Sequence, residues 1–80
     1  MSITVFSKPA CVQCDATKKA LDKLHIPYTA VDMTEDFEAL ERARSLGYLQ
    51  APVVFIDDDN HWSGYRPDQI KALAQSFISA

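Results

Sequence analysis

Short apolar runs and amphipathic segments alternate along the first part of the chain. Residues 3–6 are apolar except for Thr4 and are rich in β-branched side chains, as expected for a strand buried on both faces of a sheet. Residues 11 to about Leu24 have the spacing of a helix with one buried face, and its predicted core-facing positions are Cys14, Thr17, Ala20, Leu21 and Leu24. Pro27 ends that segment, and residues 28–32 have the pattern of a second strand. This order predicts a parallel strand–helix–strand unit with the first strand inside the sheet.

The same rules divide the middle of the chain. Thr34 is the expected N-cap of a second helix because two acidic residues follow it, and Gly47 is the expected stop. The predicted buried positions of this helix are Phe37, Leu40, Ala43 and Leu46. Residues 53–56 then form an apolar third strand after Pro52. A polar turn at residues 57–60 leads into a fourth strand at residues 61–63, which predicts an antiparallel hairpin.

A last helix is expected to begin at Pro67, since proline suits the first helical position. Its predicted core positions are Ile70, Leu73, Ala74 and Phe77. The element order is therefore βαβαββα in an α/β fold. A chain of 80 residues is long enough for one core, so we expect a single domain over residues 1–80 and a monomer.

Composition narrows the classes of function. A formal net charge of −3 argues against nucleic acid and anionic membrane surfaces as partners. No apolar stretch approaches the ~20 residues of a membrane span. The first residues also lack the charged and apolar regions of a secretion signal. We therefore expect a cytoplasmic protein that does not bind a membrane.

The two cysteines, Cys11 and Cys14, lie three positions apart at the expected start of the first helix. Side chains at this spacing are neighbours on a helix, with Cβ atoms about 5–6 Å apart, whereas a disulfide needs about 3.5–4.5 Å. A small departure from helical geometry at the first cysteine would let the pair form and break a disulfide. Free backbone N–H groups and the helix dipole favour a thiolate there. Cys11 is therefore the predicted nucleophile, and Cys14, on the core side of the helix, is predicted to act second.

Other interpretations stay open from these residues alone. Two close cysteines in a reducing compartment indicate either redox chemistry or metal binding. A zinc site would need two further ligands, and the two histidines, His25 and His61, fit no zinc-finger spacing. Lys8 either adds positive charge beside the thiolate or is an ordinary solvated lysine. Trp62 is either part of the core or an aromatic contact at an interface.

Three motifs give the chain a resemblance to a known family. They are Cys11-Val12-Gln13-Cys14, Ala51-Pro52-Val53 and Trp62-Ser63-Gly64-Tyr65-Arg66-Pro67-Asp68. Together they resemble the NrdH-redoxins, small glutaredoxin-like members of the thioredoxin superfamily, over nearly the whole chain. The resemblance implies a thioredoxin fold, with a four-stranded mixed sheet in the order 2-1-3-4 and helices on both faces. It also implies that Pro52 is cis and faces the cysteines.

The resemblance implies a function as well. Members of this family take electrons from NADPH through thioredoxin reductase and pass them to class Ib ribonucleotide reductase. Thioredoxin reductase and the large subunit of the ribonucleotide reductase are thus the expected partners, and no bound cofactor or metal is expected. An extended, cysteine-containing segment of the partner would dock beside the cysteines. The residues expected to contact it are Lys8, Val12, Gln13, Ala51, Pro52, Trp62, Ser63, Gly64, Tyr65 and Arg66.

Departures from two related families define the alternatives. Gln50-Ala51 precedes Pro52 where glutaredoxins have Thr-Val, and residues 62–65 replace the Gly-Gly-x-Asp region that holds glutathione. Val12-Gln13 stands between the cysteines in place of the Gly-Pro of thioredoxin. A glutathione-dependent glutaredoxin is the main alternative function. A non-catalytic zinc or iron–sulfur module and a thiol-regulated interaction domain are the others.

Overall fold

The computed structural model describes the backbone of residues 3–79 and the side chains of residues 3–76. Within that range the strands are β1 (Thr4–Ser7), β2 (Thr29–Asp32), β3 (Val53–Asp57) and β4 (Asn60–Ser63). The helices are α1 (Val12–Lys23), α2 (Phe37–Ser45) and α3 (Pro67–Ser79). The order βαβαββα is the predicted one. None of the helices in residues 3–79 is both long and apolar enough to span a membrane.

The four strands form one mixed sheet in the order β2-β1-β3-β4. β1 and β2 are parallel, whereas β1 with β3 and β3 with β4 are antiparallel. The end of β1 meets the start of β3, because Phe6 pairs with Val53. The loop that carries the cysteines and the loop that ends at Pro52 therefore lie at the same edge of the sheet. This arrangement confirms the expected fold.

Successive residues of the central strand enter two separate apolar clusters. Val5 packs with Leu21 of α1 and Ile70 of α3 on one face of the sheet. Phe6 packs with Ala39 and Ala43 of α2 on the other face. Side chains alternate across a strand, so a strand covered on both faces is apolar at consecutive positions. The side chain of Phe77, predicted to lie in the core, is outside the described residues.

At the end of α1 the chain reverses in a left-handed turn. His25 has a φ of 59°, and the N–H of Ile26 donates to the carbonyl of Leu21 across 2.9 Å. This hydrogen bond belongs to a Schellman cap, which turns the chain away from the helix axis. Ile26 is buried, whereas Leu24 is 42% exposed. The prediction that Leu24 faces the core is therefore wrong, because the cap directs Ile26 into that space.

A turn after β2 delays the start of α2. The carboxylate of Asp32 accepts the N–H and the O–H of Thr34 at 2.8 and 2.6 Å. Thr34 is thus held in the turn by Asp32. Asp36 is the N-cap of α2, and its Oδ1 accepts the N–H of Ala39 at 3.1 Å. The prediction of Thr34 as the N-cap is therefore wrong.

The buried face of α2 also differs from the predicted one. Ala39 and Ala43 are buried against the sheet, whereas Phe37, at the first helical position, is 72% exposed. Because alanine side chains are short, this face lets α2 lie close to Phe6 and Val53. The prediction that Phe37 is buried is wrong, and the prediction for Ala43 is confirmed.

Candidate active site

Cys11 caps α1 with its own sulfur atom. Its backbone is extended, with φ of −112° and ψ of 105°, and its Sγ accepts the N–H of Cys14 across 3.1 Å. Serine, threonine, aspartate or asparagine oxygens usually make this bond at a helix N-terminus. The sulfur thus lies where a backbone N–H and the positive end of the helix dipole stabilise negative charge. This is the non-helical start that the cysteine spacing predicted.

The Sγ atoms of Cys11 and Cys14 are joined in a disulfide. The two Cα atoms are 5.2 Å apart, which lies in the ordinary range for a disulfide. Because Cys11 is the cap and not a helical residue, the bond forms while α1 continues without interruption from Val12 to Lys23. Closing the disulfide therefore does not require the helix to unwind.

The two sulfurs differ in access. Cys11 is 8% exposed and Cys14 is 1% exposed. Beside Cys11 is a hollow of about 410 Å³ that Cys14 does not line. The lining residues are Lys8, Ala10, Cys11, Val12, Gln13, Gln50 and Ala51. A partner sulfur that enters the hollow meets Cys11 first.

The loop before β3 forms another wall of this hollow. The Ala51–Pro52 peptide bond is cis, as expected, and Pro52 is buried. Ala51, directly before it, lines the hollow together with Cys11. The carbonyl of Pro52 accepts the N–H of Gly64 at 2.8 Å, which ties this loop to the end of β4.

The turn after β4 is held to both neighbouring segments by side-chain hydrogen bonds. The hydroxyl of Ser63 donates to the carbonyl of Gln50 at 3.0 Å. The N–H of Tyr65 donates to Oε1 of Gln13 at 3.2 Å. Gly64, between them, has a φ of 87°, in the left-handed region that favours glycine. The predicted residues 63–65 are therefore brought against the hollow without lining it.

Trp62 and Arg66, also predicted to contact a partner, are directed elsewhere. Trp62 is 8% exposed and packs in the cluster that contains Val54 and Ile70, so it belongs to the core. Its Nε1 has no hydrogen-bond partner among the described residues. The guanidinium of Arg66 donates to both carboxylate oxygens of Asp68, at 3.3 and 3.1 Å, and these hydrogen bonds lower the pKa of Asp68. Neither Trp62 nor Arg66 lines the hollow.

Two residues of the hollow were missed by the sequence reasoning. Gln50 contributes a wall and the carbonyl that holds Ser63, and its position two residues before Pro52 is a signal that could have found it. Ala10 also lines the hollow and has a φ of 56°. Alanine carries no sequence signal for that conformation, so only the structure reveals it.

The histidines considered as zinc ligands lie in other surroundings. The Nδ1 atom of His61 is 2.7 Å from the hydroxyl of Tyr48, and His25 forms the turn at the end of α1. Among residues whose positions are described, no three His, Cys, Asp or Glu side chains are grouped as a metal site. The described side chains therefore offer no set of zinc ligands at the cysteines.

Comparison with known proteins identifies the family. The glutaredoxin family model matches residues 3–62. The glutaredoxin-like protein NrdH of Escherichia coli K12 is 41% identical over 73 residues, which cover 91% of this chain and 89% of that protein. NrdH of Lactococcus lactis subspecies cremoris is 36% identical over 72 residues, covering 90% of this chain and 99% of that protein.

The solved structures agree with the sequence relatives. The structure of the NrdH-redoxin of Escherichia coli, described as having a thioredoxin-like activity profile, matches with a TM-score of 0.85 and 40% identity. The match covers 91% of this chain and 95% of that one. A thioredoxin from Trypanosoma brucei shares the fold, with a TM-score of 0.73 at 18% identity over 99% of this chain and 75% of that one. With its Cys-x-x-Cys site, this chain belongs to the glutaredoxin family of thiol–disulfide oxidoreductases, as a glutaredoxin-like redoxin of the NrdH type.

Proposed function

We propose that this protein is a dithiol electron donor that thioredoxin reductase reduces with NADPH. Its proposed target is the disulfide in the large subunit of class Ib ribonucleotide reductase. The observation that carries the proposal is that a partner can reach the two cysteines unequally. Cys11 lines the hollow, whereas Cys14 is buried and does not line it. The proposal includes a monomer of one domain in the cytoplasm, a reducing compartment in which a dithiol can act as a donor.

In the first step the thiolate of Cys11 attacks one sulfur of the partner's disulfide. A Cys11–partner disulfide forms, and the other partner sulfur leaves as a thiolate. In the second step the thiolate of Cys14 attacks Sγ of Cys11 and releases the second partner thiolate. The partner gains two electrons, and the redoxin is left with the Cys11–Cys14 disulfide. The 5.2 Å between the Cα atoms in the disulfide form is compatible with this closing step.

The shape and the lining residues of the hollow favour a protein as the substrate. The hollow is open and lies between the start of α1 and the loop before Pro52, so an extended chain segment can lie across it. Val12, next to the nucleophile, is 83% exposed and offers apolar surface to such a segment. Lys8 also lines the hollow, where its charge favours the Cys11 thiolate and an acidic partner segment.

The choice of reductase is supported by two features. The relative of known structure is described as having a thioredoxin-like activity profile. This chain also carries Trp62-Ser63-Gly64-Tyr65 where glutaredoxins carry the glutathione-holding Gly-Gly-x-Asp. Both features favour thioredoxin reductase over glutathione as the electron source.

A trapping experiment with the ribonucleotide reductase large subunit tests the target. A Cys14→Ser variant can form the mixed disulfide but cannot resolve it, so it should accumulate as a covalent complex with the large subunit on non-reducing gels. The matched Cys11→Ser variant should give no complex, because the remaining sulfur is buried and does not line the hollow. The complex should dissociate when dithiothreitol is added.

The outcomes separate the parts of the proposal. Trapping by Cys11→Ser in place of Cys14→Ser would reverse the assigned roles. Absence of any complex with the oxidised large subunit, when Cys14→Ser still forms one with another protein disulfide, would exclude this target and leave the disulfide chemistry in place.

A further inference from the structure

Gln13 connects the cysteine segment to a distant turn. Its Oε1 accepts the N–H of Tyr65, 52 positions away in sequence, across 3.2 Å. A Cβ atom built on Gly64 would lie 3.5 Å from the same oxygen, so the Gln13 amide rests against the backbone of this turn. Gln13 also lines the hollow beside Cys11. Gln13 thus contacts both the reactive sulfur's hollow and the turn at residues 64–65.

The turn is itself fixed to the remaining wall of the hollow. Ser63 donates to the carbonyl of Gln50, and the N–H of Gly64 donates to the carbonyl of Pro52. Hydrogen bonds therefore link three segments in a chain: the start of α1, the turn at residues 63–65 and the loop before β3. The hydrogen bond of Gln13 is the link that includes the cysteine segment.

This link is independent of the disulfide. When the Cys11–Cys14 bond is reduced, the covalent restraint on the first turn of α1 is lost, whereas the hydrogen bond from Tyr65 to Gln13 can remain. The reduced form is the one that must dock a partner in the proposed function. A partner segment that touches two walls of the hollow requires them to keep their spacing, whereas a small disulfide needs only access to Cys11.

The geometry points to Gln13 as a positioning residue that sets the preference of the redoxin for protein disulfides over small ones. It acts through Tyr65 by holding the start of α1 at a fixed distance from the turn that follows β4. This inference rests on the proposed function, since it concerns how the reduced protein meets its substrate. Without the hydrogen bond from Tyr65, the position of Gln13 between the two cysteines would suggest only direct contact with the partner.

Two substitutions at position 13 provide a matched test. Gln13→Met keeps the length of the side chain and removes the oxygen acceptor, whereas Gln13→Glu keeps an acceptor oxygen at the same reach. Each pre-reduced variant is mixed with insulin or with the neutral small disulfide 2,2′-dithiodipyridine, and the two second-order rate constants are measured. Their ratio is the readout, because any change in the reactivity of Cys11 itself affects both rates.

Loss of one exposed hydrogen bond should lower the insulin rate of Gln13→Met by about three- to tenfold. Its rate with 2,2′-dithiodipyridine should fall by a smaller factor, so that the insulin to 2,2′-dithiodipyridine ratio falls by about threefold or more, whereas Gln13→Glu should keep the parent ratio. Equal losses on both substrates, or an unchanged ratio in Gln13→Met, would overturn the inference and leave the function standing. Parent protein that reduces neither disulfide would instead refute the proposed function.

Hydrogen exchange at Tyr65 shows whether the effect passes through the link. In Gln13→Met the amide of Tyr65 should exchange faster than in the parent, and in Gln13→Glu it should not. If Gln13→Met has a lower rate constant with insulin but unchanged amide hydrogen exchange at Tyr65, then Gln13 contacts the substrate directly, which contradicts the inference. Far-ultraviolet circular dichroism and thermal unfolding of both variants check that the fold is retained.

Removing the donor gives an independent test. A semisynthetic protein with an ester in place of the Gly64–Tyr65 peptide bond lacks the N–H of Tyr65 and keeps the side chains of Gln13 and Tyr65. It should show the same fall in the insulin to 2,2′-dithiodipyridine ratio as Gln13→Met. Combining the two changes should cause no further fall, because both remove the same bond. Additive losses would overturn the inference.

Discussion

At the scale of single residues, the chemistry of this redoxin depends on the unlike surroundings of two sulfurs. Sγ of Cys11 accepts a backbone N–H at the start of α1 and borders the hollow, whereas Cys14 is buried one turn further on. In the proposed mechanism these surroundings favour the thiolate of Cys11 as the first nucleophile and keep Cys14 shielded until Cys11 has reacted. Burial and hydrogen bonding would together set the order of the two proposed steps.

This asymmetry predicts the order of alkylation. In the reduced protein, iodoacetamide should modify Cys11 about tenfold faster than Cys14 or more, because the thiolate is the reactive form and Cys14 is the more buried. Peptide mass spectrometry after brief exposure to a limiting amount of reagent measures the two rates. The oxidised protein is the control and should take no label. Equal labelling of both cysteines would contradict the account.

The sequence alone predicted the cysteine pair, its place at the start of a helix and the core-facing position of Cys14. It left Trp62 open between core and interface, because a single aromatic residue on a short strand has the same pattern in both cases. Packing of α3 over β3 and β4 decides the matter by burying Trp62 beside Val54 and Ile70. The link between Gln13 and Tyr65 was also out of reach, since no local rule joins residues so far apart.

At the scale of elements, the ends of the helices explain where the predictions succeed and fail. Gly47 was predicted as the stop of α2 and has a φ of 90°, as a left-handed cap requires. The start of α2 was misplaced because Thr34 and Asp36 are both good caps, and local sequence does not rank them. The carboxylate of Asp32 decides between them by holding Thr34 in the preceding turn. Competing local signals of this kind are resolved only by the folded backbone.

Asp36 as the N-cap of α2 leads to a stability prediction. Asp36→Ala should lower the free energy of unfolding by about 1 kcal/mol, because the N–H of Ala39 loses its acceptor. Asp36→Asn keeps an acceptor oxygen and should stay close to the parent value. Urea unfolding followed by circular dichroism measures both. An equal loss in the two variants would show that the hydrogen bond to Ala39 is not the cause.

At the scale of the whole molecule, hydrogen bonds on the surface link stability to pH. The pKa of Asp32 is lowered by hydrogen bonds from Thr34, that of Asp57 chiefly by Asn60, and that of Asp68 by Arg66. Each of these carboxyl groups has a lower pKa in the folded protein than in the unfolded chain, so in acid the folded protein binds fewer protons than the unfolded chain. Their stabilising contribution is therefore present above about pH 4 and is lost as the pH falls through the folded-state pKa values.

Urea unfolding midpoints measured between about pH 7 and about pH 3 should accordingly fall on the acid side. In Asp57→Asn the group at position 57 no longer titrates, so the fall should be smaller than in the parent. All three carboxylates are on the surface, and salt should weaken the charge interaction between Asp68 and Arg66. A pH dependence that is identical in the parent and in Asp57→Asn would contradict the assignment for Asp57.

The fold also brings together what the sequence separates. The parallel β1–β2 pair and the antiparallel β1–β3 pair place the cysteine loop and the Pro52 loop at one edge of the sheet. The β3–β4 hairpin then returns the turn at residues 63–65 to the same edge. The order of strands was predictable through the family resemblance, whereas the hydrogen bonds between these loops became visible only in three dimensions.

The central claim, that electrons arrive through thioredoxin reductase, is tested most directly by NADPH consumption. The oxidised protein and a disulfide substrate are supplied with thioredoxin reductase in one assay, and with glutathione and glutathione reductase in the other, with Cys11→Ser as the control. The account predicts rapid oxidation of NADPH in the first assay alone and none with Cys11→Ser. Turnover only with glutathione and glutathione reductase would contradict it and make the protein a glutathione-dependent glutaredoxin.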